Sequence, residues 1–319
     1  MTIFGIAWMI LEIICFLKKD IKYITVLTIL GMTFQCNNII SMGNFGVGPQ
    51  IISSIIFSLK VIIQSKGIIK IPKKNKYIII TMIIMLIAVF ISLYKNQLVT
   101  EKLLVFLQLM SYILCFICMN VISEKVNDDF VYKLVRRITI FLLIVGAIQF
   151  LITSNVIPRL SIISEIFFNE KRGAVYYYRN NYYRITSTFM EPSYFSGFIV
   201  GALFYLISFK EKFKSNIFLI LAICIEIILT FSSTAYGTLI IVSIIYLIFS
   251  DLKIKDKIIL ITLLAILYGV MYFGFYGVLD KVIFSKEKSG SANKRNNMND
   301  HAIETFLENP IFGKRIQKL

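Results

Sequence analysis

The chain has 319 residues, 57% of them apolar and only 16% charged, with 34 Lys and Arg against 18 Asp and Glu and a net charge of +16. Soluble domains carry about a quarter charged residues, so a water-soluble globule is excluded, and at about 20 residues per bilayer-crossing helix the length holds about ten spans. On a soluble chain such a charge would point to nucleic acid; on a membrane chain it points to loops at the anionic inner surface, so no nucleic-acid partner is expected.

Apolar runs at 2–17, 21–41, 46–64, 77–94, 102–122, 137–153, 188–208, 216–231, 233–250 and 257–279 predict the spans. The fold class is all-α, a single polytopic membrane domain over 1–319. The opening Met1-Thr-Ile-Phe-Gly lacks a basic flank and a small-residue cleavage site, so the first run reads as a retained helix and no signal peptide. Cys15, Cys36, Cys115, Cys118 and Cys224 all fall inside apolar runs. Cys115 and Cys118 form a CxxC without a second pair or a histidine nearby, and read as packing residues; no metal site is expected. Glu12 and Glu226, in the first and eighth runs, are intramembrane carboxylates without a basic partner on a neighbouring turn, and are kept as weak candidates for a proton path.

Charge sorts the connections. The loops after the odd-numbered spans carry clusters such as Lys66, Lys70, Lys73, Lys74 and Lys76, or Lys133, Arg136 and Arg137, whereas the short loops after spans two, four and eight carry only Lys95 and Lys102. The positive-inside rule then places the odd loops in the cytoplasm and the N-terminus outside. Two outer segments keep cations against that rule: a large extracytoplasmic loop over 154–187, with Arg159, Lys171, Arg172, Arg179 and Arg184, and an extracytoplasmic C-terminal segment over 280–319, with Arg295 and the only histidine, His301. Binding of an anion is the plainest reason to retain them; ordinary solvated loop charge is the alternative.

No glycine-rich phosphate loop, dinucleotide fingerprint, zinc-protease helix or serine elbow occurs, and no cofactor is expected. The informative residues lie at outer helix ends. Lys171 to Arg184 holds Arg172, Arg179 and Arg184 with five tyrosines, Tyr182 and Tyr183 among them. Guanidinium forks grip phosphate oxygens and tyrosine faces stack on sugars; an aromatic belt with snorkelling arginines is the competing reading. Glu191 precedes Pro192 at a predicted helix start, which suits either a capping carboxylate or a base. Ser193, Gly197 and Gly201, with Ser233 and Gly237, form small-residue faces expected to draw spans seven and nine together.

The segment Arg184-Ile-Thr-Ser-Thr-Phe-Met-Glu191-Pro-Ser-Tyr-Phe-Ser resembles the start of a mid-chain span in the O-antigen and capsular repeat-unit polymerases, the Wzy family, which is related to the O-antigen ligases. Ser232-Ser-Thr-Ala-Tyr-Gly and Asn309-Pro-Ile-Phe-Gly313 resemble later segments of the same family, in the same order. Two departures stand out: Ser233 where many members have Arg, and a chain ending at Leu319 where members continue through one or two spans, so by this comparison it reads as C-terminally truncated. The resemblance implies a bacterial plasma-membrane glycosyltransferase that polymerises undecaprenyl-pyrophosphate-linked oligosaccharides at the outer leaflet, with membrane lipid and a chain-length regulator as partners. It implies Arg184 and Arg179 on the pyrophosphate, Arg172 and Arg295 as secondary contacts, Tyr182 and Tyr183 on the glycan, and Glu191 or His301 as the proton acceptor. A flippase and a ligase-type transferase are the alternative readings.

Overall fold

The computed structural model describes residues 3–35, 37–42, 45–68, 75–95, 100–122, 126–158, 177–179, 182–209, 212–249 and, in part, 254–269 and 297–307. In chain order the elements are α1 Ile3–Leu17, α2 Ile21–Thr33, β1 Ile40–Met42, β2 Phe45–Val47, α3 Pro49–Gln64, α4 Lys76–Lys95, α5 Thr100–Ile122, α6 Asp128–Thr153, β3 Tyr177–Arg179, β4 Tyr182–Arg184, α7 Pro192–Ser208, α8 Phe213–Leu229 and α9 Ser233–Phe249. The fold is therefore helical, with two short antiparallel ribbons as an addition the apolar pattern did not predict. The tenth apolar run, 257–279, lies mostly outside the described residues.

Two helices differ from expectation in a way that has a physical cause. The run predicted over 21–41 is helical only to Thr33; Asn37 and Asn38 interrupt it, and the chain returns through the ribbon β1–β2, in which Ile40 faces Val47 and Met42 faces Phe45. Asparagine amides compete with the backbone for its own hydrogen bonds and favour turns. Conversely α6 begins at Asp128, nine residues before its apolar stretch, because Asp128 and Asp129 suit the positive end of the helix dipole. Val105–Ile122 of α5 and Asp128–Thr153 of α6 are long and apolar enough to cross a membrane, and several other helices are apolar but shorter. Large apolar side chains point outward along α4 (Ile80, Ile83, Ile84, Ile87, Phe90) and α9 (Ile240, Ile241, Ile244, Ile245, Ile248). Faces of this extent are stable against lipid and not against water, in keeping with an integral membrane location.

The chain divides into two compact units, Met1–Asp128 with Ser289–Leu319, and Asp129–Lys288. In the first, α3 packs between α2 and α5, α4 lies on α5, and α1 crosses α2 and α3. Its centre is Ile21, Ile24, Phe57, Val61, Cys115, Cys118 and Ile122. Both cysteines are free thiols, fully buried as small packing residues, with Cys118 Sγ 3.9 Å from the Ser58 carbonyl oxygen. Glu12 is enclosed here as well. Trp8 Nε1 donates to Glu12 Oε1 and to Ser53 Oγ, each at 3.1 Å, and Ser53 Oγ donates to Glu12 Oε1.

Close approach in this unit depends on glycine. A Cβ at Gly5 would sit 2.7 Å from the Ile39 carbonyl oxygen and 2.9 Å from Ile39 Cα, both backbone atoms that cannot swing aside. Gly5→Ala is expected to cost about 1–3 kcal/mol, read as an earlier thermal transition in the fluorescence of Trp8, the single tryptophan of the chain. An unshifted transition would contradict the packing of α1 described here.

In the second unit α7 packs against α8 and α9. The buried face of α7 is Phe195, Ser196, Ile199, Val200, Leu203 and Leu206. This corrects the expected role of the small residues. Gly197 and Gly201 are exposed, and a Cβ built on either, or on Gly237, meets nothing within 4 Å. Spans seven and nine do come together, but through large apolar side chains on another face of α7. The helix α6 meets α8 at two levels. Tyr132 OH and Arg136 Nε both donate to Asn216 Oδ1, at 3.0 and 3.3 Å, and further along the Glu226 carboxylate lies over Gly146.

Candidate functional site

The Wzy-like segment 184–191 lies between the ribbon β3–β4 and the start of α7, and each part of it is held by a different element of the second unit. In the ribbon, Tyr177 pairs with Arg184, Tyr178 with Tyr183 and Arg179 with Tyr182. Directly opposed positions of an antiparallel pair share a face, and alternate positions along a strand do too. Positions 177, 179, 182 and 184 therefore fall on one face, and 178 and 183 on the other. The two arginines assigned to phosphate share a face with Tyr182, whereas Tyr183 does not. The side chains of Arg179, Tyr182 and Tyr183, and the whole of Arg172 and Arg295, lie outside the described residues.

Arg184 is half-buried at the C-terminus of α8. Its Nε donates to the Thr230 carbonyl oxygen at 3.0 Å, and the next residue, Ile185, donates its N–H to the Leu229 carbonyl at 3.3 Å. The last carbonyls of a helix have no partner within it and carry the negative end of its dipole. A cation and an amide from the 184–185 segment satisfy two of them at once. Thr230 itself is fully buried, and its hydroxyl donates back to the Ile227 carbonyl at 2.7 Å. The chain then turns sharply into α9 through Phe231, a buried phenylalanine at φ +43°. Ser232 caps α9, its Oγ accepting from the Ala235 N–H at 3.4 Å, and Tyr236 OH returns to the Ile228 carbonyl at 3.1 Å.

Thr186, Ser187 and Thr188 are completely buried. Gln149 of α6 takes both neighbouring amides on one oxygen: Thr186 N–H and Ser187 N–H donate to Gln149 Oε1 at 2.8 and 2.9 Å. Its Nε2 donates to Thr186 Oγ1 at 3.1 Å, and Ser187 Oγ donates to the Leu142 carbonyl at 2.8 Å. Ser187 has φ +51°, in the left-handed region. Such a backbone costs on the order of 1–3 kcal/mol and persists where its surroundings over-determine it.

Glu191 occupies the N-cap position of α7 with Pro192 next to it, but its carboxylate makes no capping bond. Of the two readings of Glu191, the cap is thus limited to the backbone. The carboxylate is half-buried, accepts from Ser193 Oγ at 3.0 Å, and forms no ion pair among the described residues. An acceptor oxygen outside any ion pair is what a base requires. His301, the other candidate, belongs to the first unit; it is exposed, with Nδ1 3.8 Å from Glu304 Oε2.

Three contributors were missed from sequence. Gln149 carried a signal, as a lone amide inside an apolar helix. Thr230 and Phe231 carried none, since their part depends on where the 184–185 segment lands.

No curated protein and no solved structure matches the chain. A family model does: residues 217–317 match Wzy_C, described as O-antigen ligase. The match begins in α8 and includes Thr230, Phe231, Ser232 and Tyr236, while Gln149, Arg184 and Glu191 lie upstream of it. With the hydroxyl-rich start of α9, and the end of α8 on which Arg184 docks, inside the matched stretch, residues 217–317 are similar to the Wzy_C domain of the O-antigen ligases.

Proposed function

We propose that this chain polymerises lipid-linked oligosaccharide repeat units into a surface polysaccharide, transferring the growing glycan from undecaprenyl pyrophosphate at the outer face of the bacterial plasma membrane. The similarity of residues 217–317 to a family that acts in lipid-linked glycan assembly supports the reaction class. The observation that carries the assignment to residues is Arg184, half-buried and oriented through Nε by the Thr230 carbonyl at 3.0 Å. A guanidinium fixed through Nε in this way has a defined plane, which suits in-plane recognition of phosphate oxygens.

In this reading the hydroxyl of the incoming repeat unit attacks the anomeric carbon of the donor glycan. The bond from that carbon to the pyrophosphate oxygen breaks and the electron pair leaves with the lipid pyrophosphate. Arg184, with Arg179 beside it on the ribbon and Arg172 and Arg295 as further contacts, stabilises the charge gathering on the leaving group. Tyr182 and Tyr183 bind glycan. Glu191 takes the acceptor's proton, with His301 as the second candidate.

The length of α6 supports the sidedness. Its lower cluster, Tyr132 and Arg136 with Asn216, and its upper one, Gln149 with Thr186, are about 26 Å apart at about 1.5 Å per residue, close to a hydrocarbon core of about 30 Å. That separation suits basic residues at the cytoplasmic surface and Arg184 and Glu191 at the outer one.

The test is reconstitution of the full chain in vesicles with an undecaprenyl-pyrophosphate-linked repeat unit. A ladder of products differing by one repeat is expected. Transfer of a glycan only to a different acceptor glycolipid would replace the polymerase with a ligase, and translocation without a new glycosidic bond would replace both with a flippase.

A further inference from the structure

We propose that Gln149 is the positioning residue of this transferase, fixing the segment that connects Arg184 to Glu191; the proposal rests on the roles given to those two residues above. The segment has no regular secondary structure of its own between β4 and α7, yet Thr186, Ser187 and Thr188 are completely buried. Buried amides outside helix or sheet need another partner. One side chain supplies it to two consecutive residues: Gln149 Oε1 accepts from Thr186 N–H at 2.8 Å and Ser187 N–H at 2.9 Å. Its Nε2 fixes the orientation of that amide by donating to Thr186 Oγ1 at 3.1 Å.

Two convergent N–H groups can share one oxygen only if the backbone bends between them, and Ser187 makes that bend at φ +51°. The Ser187 hydroxyl ties the bend to the Leu142 carbonyl, two turns earlier on α6. The reactive segment is thus fastened to α6 at two levels. Gln149 acts through other residues, by setting the path from Arg184 to Glu191, so that the donor's pyrophosphate and the acceptor's hydroxyl are held about one anomeric carbon.

Three variants separate this from a general packing role. Gln149→Leu keeps the volume and removes the acceptor. Gln149→Asn keeps the amide and shortens its reach. Gln149→Glu keeps an acceptor of the same reach, toward which the Thr186 hydroxyl can turn as donor. Each is purified as the full chain, assayed with the lipid-linked repeat unit, and followed by hydrogen exchange over 184–191. Gln149→Leu and Gln149→Asn are expected to lose about 100-fold in kcat with little change in KM, as misplacement of reacting groups does, and to exchange about tenfold faster over that segment alone. Gln149→Glu is expected to restore both. If Gln149→Leu does not fold, Gln149→Asn decides. Normal kcat and protection in Gln149→Asn, or failure of Gln149→Glu to rescue, overturns the proposal. Loss of protection with unchanged kcat overturns the positioning role while keeping the clamp. If Arg184→Lys, assayed alongside, remains active, the functional reading fails instead, and the exchange result still judges the clamp.

Discussion

Arg184→Lys is expected to lower polymer formation by about 100-fold or more, while the protein still folds and inserts. The wild-type guanidinium spends Nε on the Thr230 carbonyl at 3.0 Å, and its planar fork is oriented by that bond. A lysine retains the favourable cation at the negative end of α8, which is why folding is expected to survive. Its single ammonium, however, cannot hold the helix carbonyl and also present two parallel donors to a phosphate. A hundredfold loss corresponds to about 2.7 kcal/mol of transition-state stabilisation, within reach of one charge-assisted bidentate contact. Product ladders from membranes matched for protein content read the result. Long polymer from Arg184→Lys would remove the leaving-group role from this residue, and with it the main support for the proposed chemistry.

The second large effect is expected from Gly146→Ala. Glu226 is 5% exposed, and its Oε2 has no hydrogen-bond partner among the described residues. The carboxylate lies against Gly146: a Cβ there would be 2.4 Å from Oε2 and 3.0 Å from both the carboxyl carbon and Oε1. A methyl group at this point must displace the buried end of the Glu226 side chain. About 1–3 kcal/mol of destabilisation is expected from overpacking, more if Glu226 finds no new rotamer. Shortening the partner removes the clash. Gly146→Ala with Glu226→Ala is therefore expected to be less impaired than the sum of the single variants, and the double-mutant cycle isolates that coupling. Monodisperse yield in detergent and the thermal transition are the readouts. Strict additivity would mean that α6 and α8 do not meet at Gly146 as described.

Glu12 and Glu226 entered as intramembrane carboxylates without basic partners. The structure separates them by surroundings. Glu12 is bonded by an indole N–H and a serine hydroxyl, whereas Glu226 rests against a backbone made accessible by glycine. Neither difference was legible in sequence, because Ser53 is 41 residues from Glu12 and Gly146 belongs to another helix.

The apolar runs by themselves determined where the helices named above lie, among the described residues, to within a few residues, with α2 and α6 the exceptions, because a long apolar stretch without proline has few alternatives to helix once it leaves water. They also indicated that Cys115 and Cys118 pack in the core, as both are fully buried, and the segments beginning at Arg184, Ser232 and Asn309 sufficed to indicate the family whose model matches residues 217–317. Only the tertiary structure decided that α2 stops at Thr33, that the glycines of α7 face open space, and that Gln149 and the Thr230 carbonyl hold the segment between Arg184 and Glu191. The reason is the reach of the interactions involved. Burial and helix propensity are summed over neighbouring residues, whereas a hydrogen bond from Arg184 to Thr230 or from Thr186 to Gln149 joins positions 46 and 37 residues apart, and no local pattern records which carbonyl or amide will be waiting there.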